Sequence, residues 1–304
     1  MYDLIGDIHG HADELLQLLE TLGYRKAQGA YRHPERKVIF LGDFIDRGPK
    51  IRQVIEIVRP MTEEGTALAV MGNHELNALA FHTEDPDRAG TFLRPREIKN
   101  IRQHGQTILQ LSDKELTQAL GWFRKLPMWL ELDGLRVAHA CWDEQAISKI
   151  AAAIAEQGGI TPNLLQSACQ KGQPLFAPIE LILKGKEAAL PKGVSFIDKD
   201  GHVRTDTRVR WYLPPDGHKY RTYALTDEID CDDDLEQSVI DEAAPYPADA
   251  KPVFVGHYWL FAQRPEILAD NVACVDYSVA KGGFLCAYRW NGEQKLRNEN
   301  FVWI

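Results

Sequence analysis

Residues 2–11 have the sequence YDLIGDIHGH, in which a short apolar run is followed by two glycines that flank an aspartate and a histidine. The run over 2–5 predicts a strand, and leucines at helical spacing over 15–22 predict a helix. Asp7 and His9 are therefore expected between a strand end and a helix start, where open α/β sheets bind ligands. Taken alone, the stretch is explained equally well by a helix cap and a surface histidine.

The same arrangement of apolar strand, glycine and metal-capable side chain occurs twice more. Residues 37–49, KVIFLGDFIDRGP, and residues 66–75, TALAVMGNHE, each contain an apolar run that ends at a glycine followed by Asp or Asn. Between them, residues 51–61 have the spacing of an amphipathic helix. This alternation predicts the α/β class, which some schemes call α+β. Helix capping accounts for one such turn but is a poor explanation of three.

The composition excludes several functional classes. The formal net charge of −9 does not suit a general nucleic-acid binder, which needs a basic surface. It does not exclude anionic substrates, because bound metal ions can reverse the local field. The chain has no long apolar run for a membrane and no secretory leader pattern. Five scattered cysteines without C-x-x-C pairs predict reduced thiols, so we expect a cytoplasmic protein.

The rest of the chain predicts one domain with two additions. Residues 77–132 are mostly polar with helical spacing, which predicts a helical insertion. Residues 143–250 are irregular and include an acidic, proline-punctuated segment. Within them, residues 192–213 predict a β-hairpin with Asp-Gly at 200–201 in its turn. No linker divides the sequence, so a single domain over 1–304 is expected.

Two later strands, in GLRVAHACW and VFVGHYW, lead into a histidine. Together the strand ends supply oxygen and imidazole donors without a thiolate: Asp7, His9, Asp43, Asn73, His139 and His257. Such a set suits manganese, iron or zinc better than calcium, with cobalt and nickel as further alternatives. Six ligands exceed the needs of one tetrahedral zinc ion and fit two divalent metal ions that share a carboxylate, an arrangement used to hydrolyse phosphate esters. Asp43 is the best bridging group, and manganese is the metal expected first.

The motifs GDIHG, GDFIDRG and GNHE, in this order, resemble the phosphoprotein-phosphatase branch of the calcineurin-like metallophosphoesterases. HACW and GHYW are similar to the later histidine motifs of that branch. The resemblance implies a four-layer αββα sandwich with a dinuclear metal site above the sheets. It also implies that one metal is held by Asp7, His9 and Asp43, and the second by Asp43, Asn73, His139 and His257.

The resemblance further implies catalytic and substrate-binding residues. Arg47 would grip two phosphate oxygens, for which a guanidinium is well shaped, and Asn73 would contact the same phosphate. His74 would pair with Asp46 and protonate the leaving oxygen, because an aspartate behind a histidine raises the pKa of the imidazole and fixes its orientation. The attacking group would be a hydroxide that bridges the two metals.

Three further positions bear on the branch and the substrate. Trp259 stands where broader family members have a second histidine, which the phosphoprotein-phosphatase branch also lacks. The fourth motif begins HAC where protein phosphatases have HGG. This start and the closing CVDYSVAKGGFLCAYRW are closer to the bacterial symmetrical dinucleoside-tetraphosphatases. A second phosphate-binding arginine is expected between the fourth and fifth motifs, and Arg208 and Arg210 are the candidates.

The sequence therefore predicts a metal-dependent phosphohydrolase that attacks phosphorus directly, and its motifs favour dinucleoside polyphosphates as substrates. A Ser/Thr or Tyr phosphoprotein phosphatase is the alternative, with residues 77–132 and the acidic segment forming a groove for a protein substrate. A non-catalytic scaffold of the same fold is a third hypothesis, which the full set of ligand and acid positions disfavours. The expected partners are phosphorylated nucleotides or phosphoproteins, with neither nucleic acid nor membrane among them.

Overall fold

The computed structural model describes residues 1–197, 201–226 and 228–304. The strands are β1 (Tyr2–Ile5), β2 (Arg25–Ala27), β3 (Ala30–Arg32), β4 (Lys37–Phe40), β5 (Ala67–Ala69), β6 (Trp129–Glu131), β7 (Arg136–Ala138), β8 (Glu187–Ala189), β9 (Phe196–Ile197), β10 (Val203–Arg204), β11 (Asp206–Arg208), β12 (Val253–Val255), β13 (Val272–Cys274), β14 (Asp276–Tyr277), β15 (Phe284–Trp290) and β16 (Phe301–Trp303). The helices are α1 (Ala12–Thr21), α2 (Ile51–Glu63), α3 (Asn73–Phe81), α4 (Ile98–Gln110), α5 (Asp113–Phe123), α6 (Glu144–Gln157), α7 (Pro162–Cys169), α8 (Phe176–Lys184), α9 (Tyr220–Tyr223) and α10 (Gln237–Asp241). Within the described ranges, no helix has both the length and the apolar character that a membrane crossing requires.

The chain divides into two compact units. The first comprises residues 1–184 and 251–304, and the second comprises residues 185–250. The expected irregular region over 143–250 is thus split, because its first part forms α6, α7 and α8 and belongs to the first unit. The second unit interrupts the first in sequence between α8 and β12.

Local capping signals explain why helices α6 and α7 form in the first part of the region that was expected to be irregular. The side chain of Asp143 accepts a hydrogen bond from the backbone N–H of Ala146 at the start of α6. The hydroxyl of Thr161 likewise accepts from the N–H of Leu164, and Pro162 occupies the first turn of α7. Ser, Thr and Asp are favoured at the residue before a helix, and proline at its first position.

Two sheets of the first unit bring the functional turns together. One has the strand order β14-β15-β1-β4-β5, with β16 paired to β15, and β1, β4 and β5 are parallel. The other has the order β13-β12-β7-β6, with β13, β12 and β7 parallel. Parallel strands end at the same edge of a sheet, so the turns that follow β1, β4, β5, β7 and β12 are neighbours.

An apolar core lies between the two sheets. Leu4 and Ile39 from the first sheet pack in one cluster with Val137 and Phe254 from the second. Helices α1 and α2 pack on the first sheet, against β15 and β5. Helices α6 to α8 pack together, and the Ile182 carbonyl in α8 accepts a hydrogen bond from the N–H of Ala140, just after β7. The predicted αββα sandwich of the α/β class is confirmed.

Residues 77–132, predicted as a helical insertion, contain most of α3 together with α4 and α5, and they end in strand β6. Helix α5 begins with a capping box in which Ser112 and Glu115 satisfy each other's backbone N–H groups. All five cysteines of the chain have free thiols, as the sequence predicts.

The second unit has short antiparallel pairings and its own apolar cluster. Strand β8 pairs with β11, and β9 pairs with β10 as expected for the predicted hairpin. Residue 200 of the predicted turn lies outside the described residues. The cluster is built around three buried aromatic and aliphatic side chains, Val209, Tyr220 and Tyr223.

A buried ionic network ties β1 to its surroundings in the first unit. The carboxylate of Asp3 is fully buried and accepts hydrogen bonds from Arg36 Nε at 3.0 Å, Arg289 Nε at 3.1 Å and the Tyr24 hydroxyl at 2.9 Å. Arg36 also donates to the backbone carbonyl of Trp290 at 3.0 Å. A buried carboxylate requires such partners, because desolvation of an unpaired charge is unfavourable.

We expect Arg36→Ala to lower the free energy of unfolding by about 3 kcal/mol, because it leaves the buried Asp3 carboxylate short of a charged partner. Urea unfolding followed by circular dichroism measures this loss. The matched control is Lys50→Ala, which removes an exposed pair with Asp13 and should change stability by less than about 0.5 kcal/mol. Equal effects of the two substitutions would contradict the assignment.

Candidate metal centre

The six predicted ligands lie together at the ends of five strands of the first unit. They come from the turns after β1, β4, β5, β7 and β12, and each is at least nine-tenths buried: Asp7, His9, Asp43, Asn73, His139 and His257. The topology explains this convergence, because parallel strands of both sheets end at this edge.

Asp43 is at the centre of the cluster. Its Oδ2 lies 3.5 Å from His9 Nε2, 3.5 Å from His139 Nε2 and 4.0 Å from His74 Nε2. Two groups have ligand atoms within 4.8 Å of one another, His9 with Asp43 and His74, and Asp43 with His139 and His257. Asp43 belongs to both groups, and this is the position that a bridging carboxylate requires.

Backbone carbonyls orient two of the imidazoles toward Asp43. The Nδ1 atom of His9 lies 2.9 Å from the carbonyl of Ile45, and Nδ1 of His139 lies 2.6 Å from the carbonyl of Leu41. A carbonyl can only accept, so each Nδ1 carries the proton and each Nε2 is available as a ligand. Among the described residues, the buried Nε2 of His9 has no hydrogen-bond partner.

The electrostatics of the cluster favour bound cations. Burial, and then the charge of Asp276, raise the pKa of Asp7. Burial opposes ionisation of Asp43 as well, but His139 and His74 outweigh it and lower the pKa of that carboxyl. Burial lowers the pKa of His139, yet Asp43 and Asp7 raise it to about 10. Without a metal, a proton on His139 thus compensates the buried carboxylates, and metal binding would displace it.

The residues present therefore fit a pair of divalent cations. The donors are carboxylate, amide and imidazole groups without a thiolate, as manganese, iron and zinc accept. The lone pair of His9 Nε2 accepts no hydrogen bond from the described residues. Asp7, His9 and Asp43 could hold one ion, and Asn73, His139 and His257 could complete a second with Asp43.

Five of the predicted site residues have a backbone conformation in the left-handed region. The φ angles are 44° at His9, 52° at Asp43, 66° at Asp46, 65° at Arg47 and 69° at His257. Such angles are unfavourable for residues with a side chain and cluster at functional sites, where surrounding contacts hold them. These turns are therefore shaped by their contacts rather than by local preference.

Two glycines allow carboxylates to lie directly on the backbone. A Cβ at Gly72 would collide with the carboxylate of Asp43, and a Cβ at Gly256 would collide with that of Asp7. The glycines of GNHE and GHYW are thus required by close approach, a use of glycine that backbone crowding explains.

Glu75 is a central residue that the sequence analysis missed. Its buried carboxylate accepts hydrogen bonds from the N–H groups of Asp43 at 2.8 Å, Phe44 at 2.9 Å and Gly72 at 3.0 Å. It thereby joins the turns after β4 and β5. Burial, and then the charge of Asp43, raise the pKa of Glu75 to about 7. Its position could have indicated this role, because Glu75 lies three residues after Gly72, where a glutamate typically caps the start of a helix.

Asp46 and His74 form a hydrogen-bonded pair beside the predicted ligands. The Oδ2 atom of Asp46 lies 2.6 Å from His74 Nδ1. Burial lowers the pKa of His74, but Asp43 and Asp46 outweigh it and raise the pKa. The Oδ1 atom of Asp46 contacts His104 and Thr107, two buried residues of α4. No sequence motif singled out either residue.

Arg47, which follows Asp46 in the turn after β4, lies against an aromatic ring. Its guanidinium carbon is 3.9 Å from the ring centroid of Trp259, whose ring is 6.1 Å from that of His9. Lys281 Nζ is 5.5 Å from the Trp259 ring centroid. Cation–π contacts of this kind hold a guanidinium in place while leaving its charge intact.

The two arginines proposed as a second phosphate grip belong to the second unit. Arg208 ends β11, and Arg210 donates from Nε to the Ala224 carbonyl at 3.1 Å and from Nη1 to the Tyr212 hydroxyl at 3.3 Å. Their part in substrate binding stays a prediction.

Comparisons with known proteins place the chain among phosphoesterases. The sequence profile of the family described as calcineurin-like phosphoesterase matches residues 2–184. Bis(5'-nucleosyl)-tetraphosphatase PrpE (asymmetrical) of Anoxybacillus flavithermus is 44% identical over 150 residues, which cover 46% of this chain and 57% of that protein. The symmetrical bis(5'-nucleosyl)-tetraphosphatase of Vibrio campbellii is 23% identical over 303 residues, 96% of each chain.

These matches differ in extent. Similarity to two further PrpE relatives covers only 30% and 58% of those proteins. Among solved structures, the cold-active protein-tyrosine phosphatase of a psychrophilic Shewanella species has a TM-score of 0.50 at 16% identity, covering 95% of this chain and 75% of that one. The structural likeness concerns the fold.

We expect Asp43→Asn to abolish binding of both metal ions, because the carboxylate is shared by both donor groups. Titration calorimetry with Mn²⁺ on metal-free protein measures this, and each bound Mn²⁺ should stabilise the wild type by about 2.7 kcal/mol when free Mn²⁺ is in hundredfold excess over the Kd of its site. The control Asp13→Asn, on the exposed side of α1, should bind as wild type does. Retention of two Mn²⁺ ions by Asp43→Asn would show that the centre is assigned wrongly.

Proposed function

The chain belongs to the calcineurin-like phosphoesterase family, and we propose that it is a hydrolase of phosphoesters and phosphoanhydrides that uses two divalent metal ions and acts on dinucleoside polyphosphates. The observation that carries the proposal is the shared position of Asp43 between two buried donor groups, next to the Asp46–His74 pair. Manganese is the metal that we propose first.

In this proposal Asp7, His9 and Asp43 hold one ion, and Asp43, Asn73, His139 and His257 hold the other. When bound, such a metal pair supplies a nucleophile at neutral pH and neutralises charge that develops on the phosphoryl group. The proposal assigns no side chain of the cluster as a covalent nucleophile. Water is therefore the nucleophile, and its oxygen is incorporated into the phosphate product.

The protein's own residues handle the proton and the phosphate. His74 donates the proton on Nε2 to the leaving oxygen, and Asp46 holds the opposite ring nitrogen at 2.6 Å. Arg47, stacked on Trp259, grips two non-bridging oxygens of the same phosphoryl group. Asn73 contacts the same phosphate.

Two observations support the nucleotide substrate and the setting. A relative from Vibrio campbellii that matches nearly the whole chain is named a symmetrical bis(5'-nucleosyl)-tetraphosphatase. By the same proposal, the chain is one metallophosphoesterase domain over 1–304, and the second unit is an insertion within it. Five free thiols support a reducing, cytoplasmic compartment.

Product analysis with the manganese-loaded protein tests the substrate class. Diadenosine tetraphosphate should be hydrolysed faster than phosphoserine and phosphotyrosine peptides. Two ADP would indicate symmetrical cleavage, and ATP with AMP would indicate asymmetrical cleavage. A preference for the peptides would overturn the nucleotide proposal in favour of a phosphoprotein phosphatase. No turnover with two metals bound would favour the scaffold hypothesis.

His74→Asn should leave Mn²⁺ binding unchanged and lower kcat for a poor leaving group by about a hundredfold, because it removes the proton donor. The loss should be much smaller for p-nitrophenyl phosphate, whose leaving group departs without protonation. Steady-state kinetics on phenyl and p-nitrophenyl phosphate measure the contrast. If His74→Asn were as active as wild type on phenyl phosphate, another residue would be the acid.

A further inference from the structure

Helix α4 lies with one face against the turn that carries Asp46 and Arg47. Three of its side chains reach that turn: His104, Thr107 and Gln110. They are three residues apart in sequence, so they share one side of the helix. A segment that the sequence assigned only to a helical insertion is thus in direct contact with the residues proposed to handle the proton.

Thr107 and Asp46 make a closed pair of hydrogen bonds. The Thr107 hydroxyl accepts from the backbone N–H of Asp46 at 3.0 Å and donates to its Oδ1 at 2.5 Å. Thr107 is fully buried. One hydroxyl therefore fixes both the backbone and the carboxylate of a residue whose φ of 66° is unfavourable by itself.

His104 supplies the second donor to the same oxygen. Its Nδ1 lies 2.8 Å from Asp46 Oδ1, and its Nε2 lies 3.1 Å from Nε2 of His82. The carboxylate can only accept, so Nδ1 of His104 carries a proton. One hydrogen lies between the two Nε2 atoms, where one imidazole donates and the other accepts. With Oδ1 held by two donors, Oδ2 of Asp46 is left to accept from His74.

Gln110 fixes the other end of the turn. Its Nε2 donates to the Gly48 carbonyl at 2.9 Å, and its Oε1 accepts from the N–H of Ile51 at 2.7 Å. The turn is therefore held from α4 on both sides of Arg47, at Asp46 and at Gly48.

We propose that His104 and Thr107 are positioning residues for the general acid, and that they act by holding Asp46 so that its Oδ2 orients the imidazole of His74. The inference rests on the proposed function. Neither residue needs to touch the substrate, because both act through Asp46. A helix is a suitable support, since functional groups are held more accurately from regular elements than from loops.

The test compares variants that remove or keep each donor. Thr107→Val and His104→Phe remove the donors with little change of shape, whereas Thr107→Ser and His104→Asn keep a donor close to the original atom. Asn100→Ala is the matched control, because Asn100 is a buried polar residue of the same helix that bonds to the Pro95 carbonyl instead. Each manganese-loaded variant is assayed on phenyl phosphate and p-nitrophenyl phosphate.

Loss of positioning should appear in the dependence on the leaving group. Thr107→Val and His104→Phe should lower kcat on phenyl phosphate by about tenfold or more and on p-nitrophenyl phosphate by less than about threefold, because only the poor leaving group needs the acid. Thr107→Ser and His104→Asn should recover most of the rate. Asn100→Ala should change both substrates equally, and His104→Phe should add nothing further in a His74→Asn background.

A spectroscopic measurement on metal-free protein separates this inference from the proposed function. With ¹⁵N-labelled histidine, the Nδ1–H of His74 bound to Asp46 should give a far-downfield proton resonance. His104→Phe and Thr107→Val should shift or broaden it, and Asn100→Ala should not. An unchanged resonance, or equal rate losses on both aryl phosphates, would overturn the positioning assignment. A wild type that hydrolyses neither diadenosine tetraphosphate nor any phosphoester would instead overturn the proposed function, while the resonance would still decide whether α4 orients the pair.

Discussion

The burial of two carboxylates, Asp7 and Asp43, at the ends of neighbouring parallel strands is the constraint on which the centre depends. Both are almost fully removed from water, and such charges are unfavourable unless donors or cations compensate them. Backbone N–H groups supply part of this, from His257 to Asp7 at 3.2 Å and from His74 to Asp43 Oδ1 at 2.9 Å. Gly72 and Gly256, together with the left-handed backbone of the surrounding turns, allow these N–H donors to come close to the carboxylates. The remaining charge is what bound cations would balance.

The α/β class and the convergence of the candidate ligands could be predicted because both follow from local patterns, whereas the four-layer sandwich was implied by the resemblance of the motifs to a known family. An apolar run that ends at a glycine and a metal-capable side chain marks the end of a buried strand, and the structure places Asp7, Asp43 and Asn73 at such ends. Parallel pairing then brings these ends together without further information. Short segments with clear periodicity, such as β1 and α1, were therefore assigned correctly.

The supporting contacts could not be predicted, because they join residues that no local pattern relates. Thr107 and His104 reach Asp46 across roughly sixty positions of sequence, and this depends on how α4 packs. Glu75 is the last residue of the GNHE motif, yet its three donors come from two different turns. The second unit was not separated either, since its strands are two or three residues long and carry little periodicity.

His74 connects the two networks of the centre. Its backbone N–H is bonded to Asp43 Oδ1, and its side chain is bonded to Asp46, which α4 holds from behind. The carboxylate that we propose as the bridging ligand and the aspartate that holds the proposed acid are thus both bonded to one residue. In the proposed mechanism, a substitution in α4 would therefore impair proton donation without removing a metal ligand, whereas a substitution at Asp43 would affect both metal binding and the backbone contact to the acid.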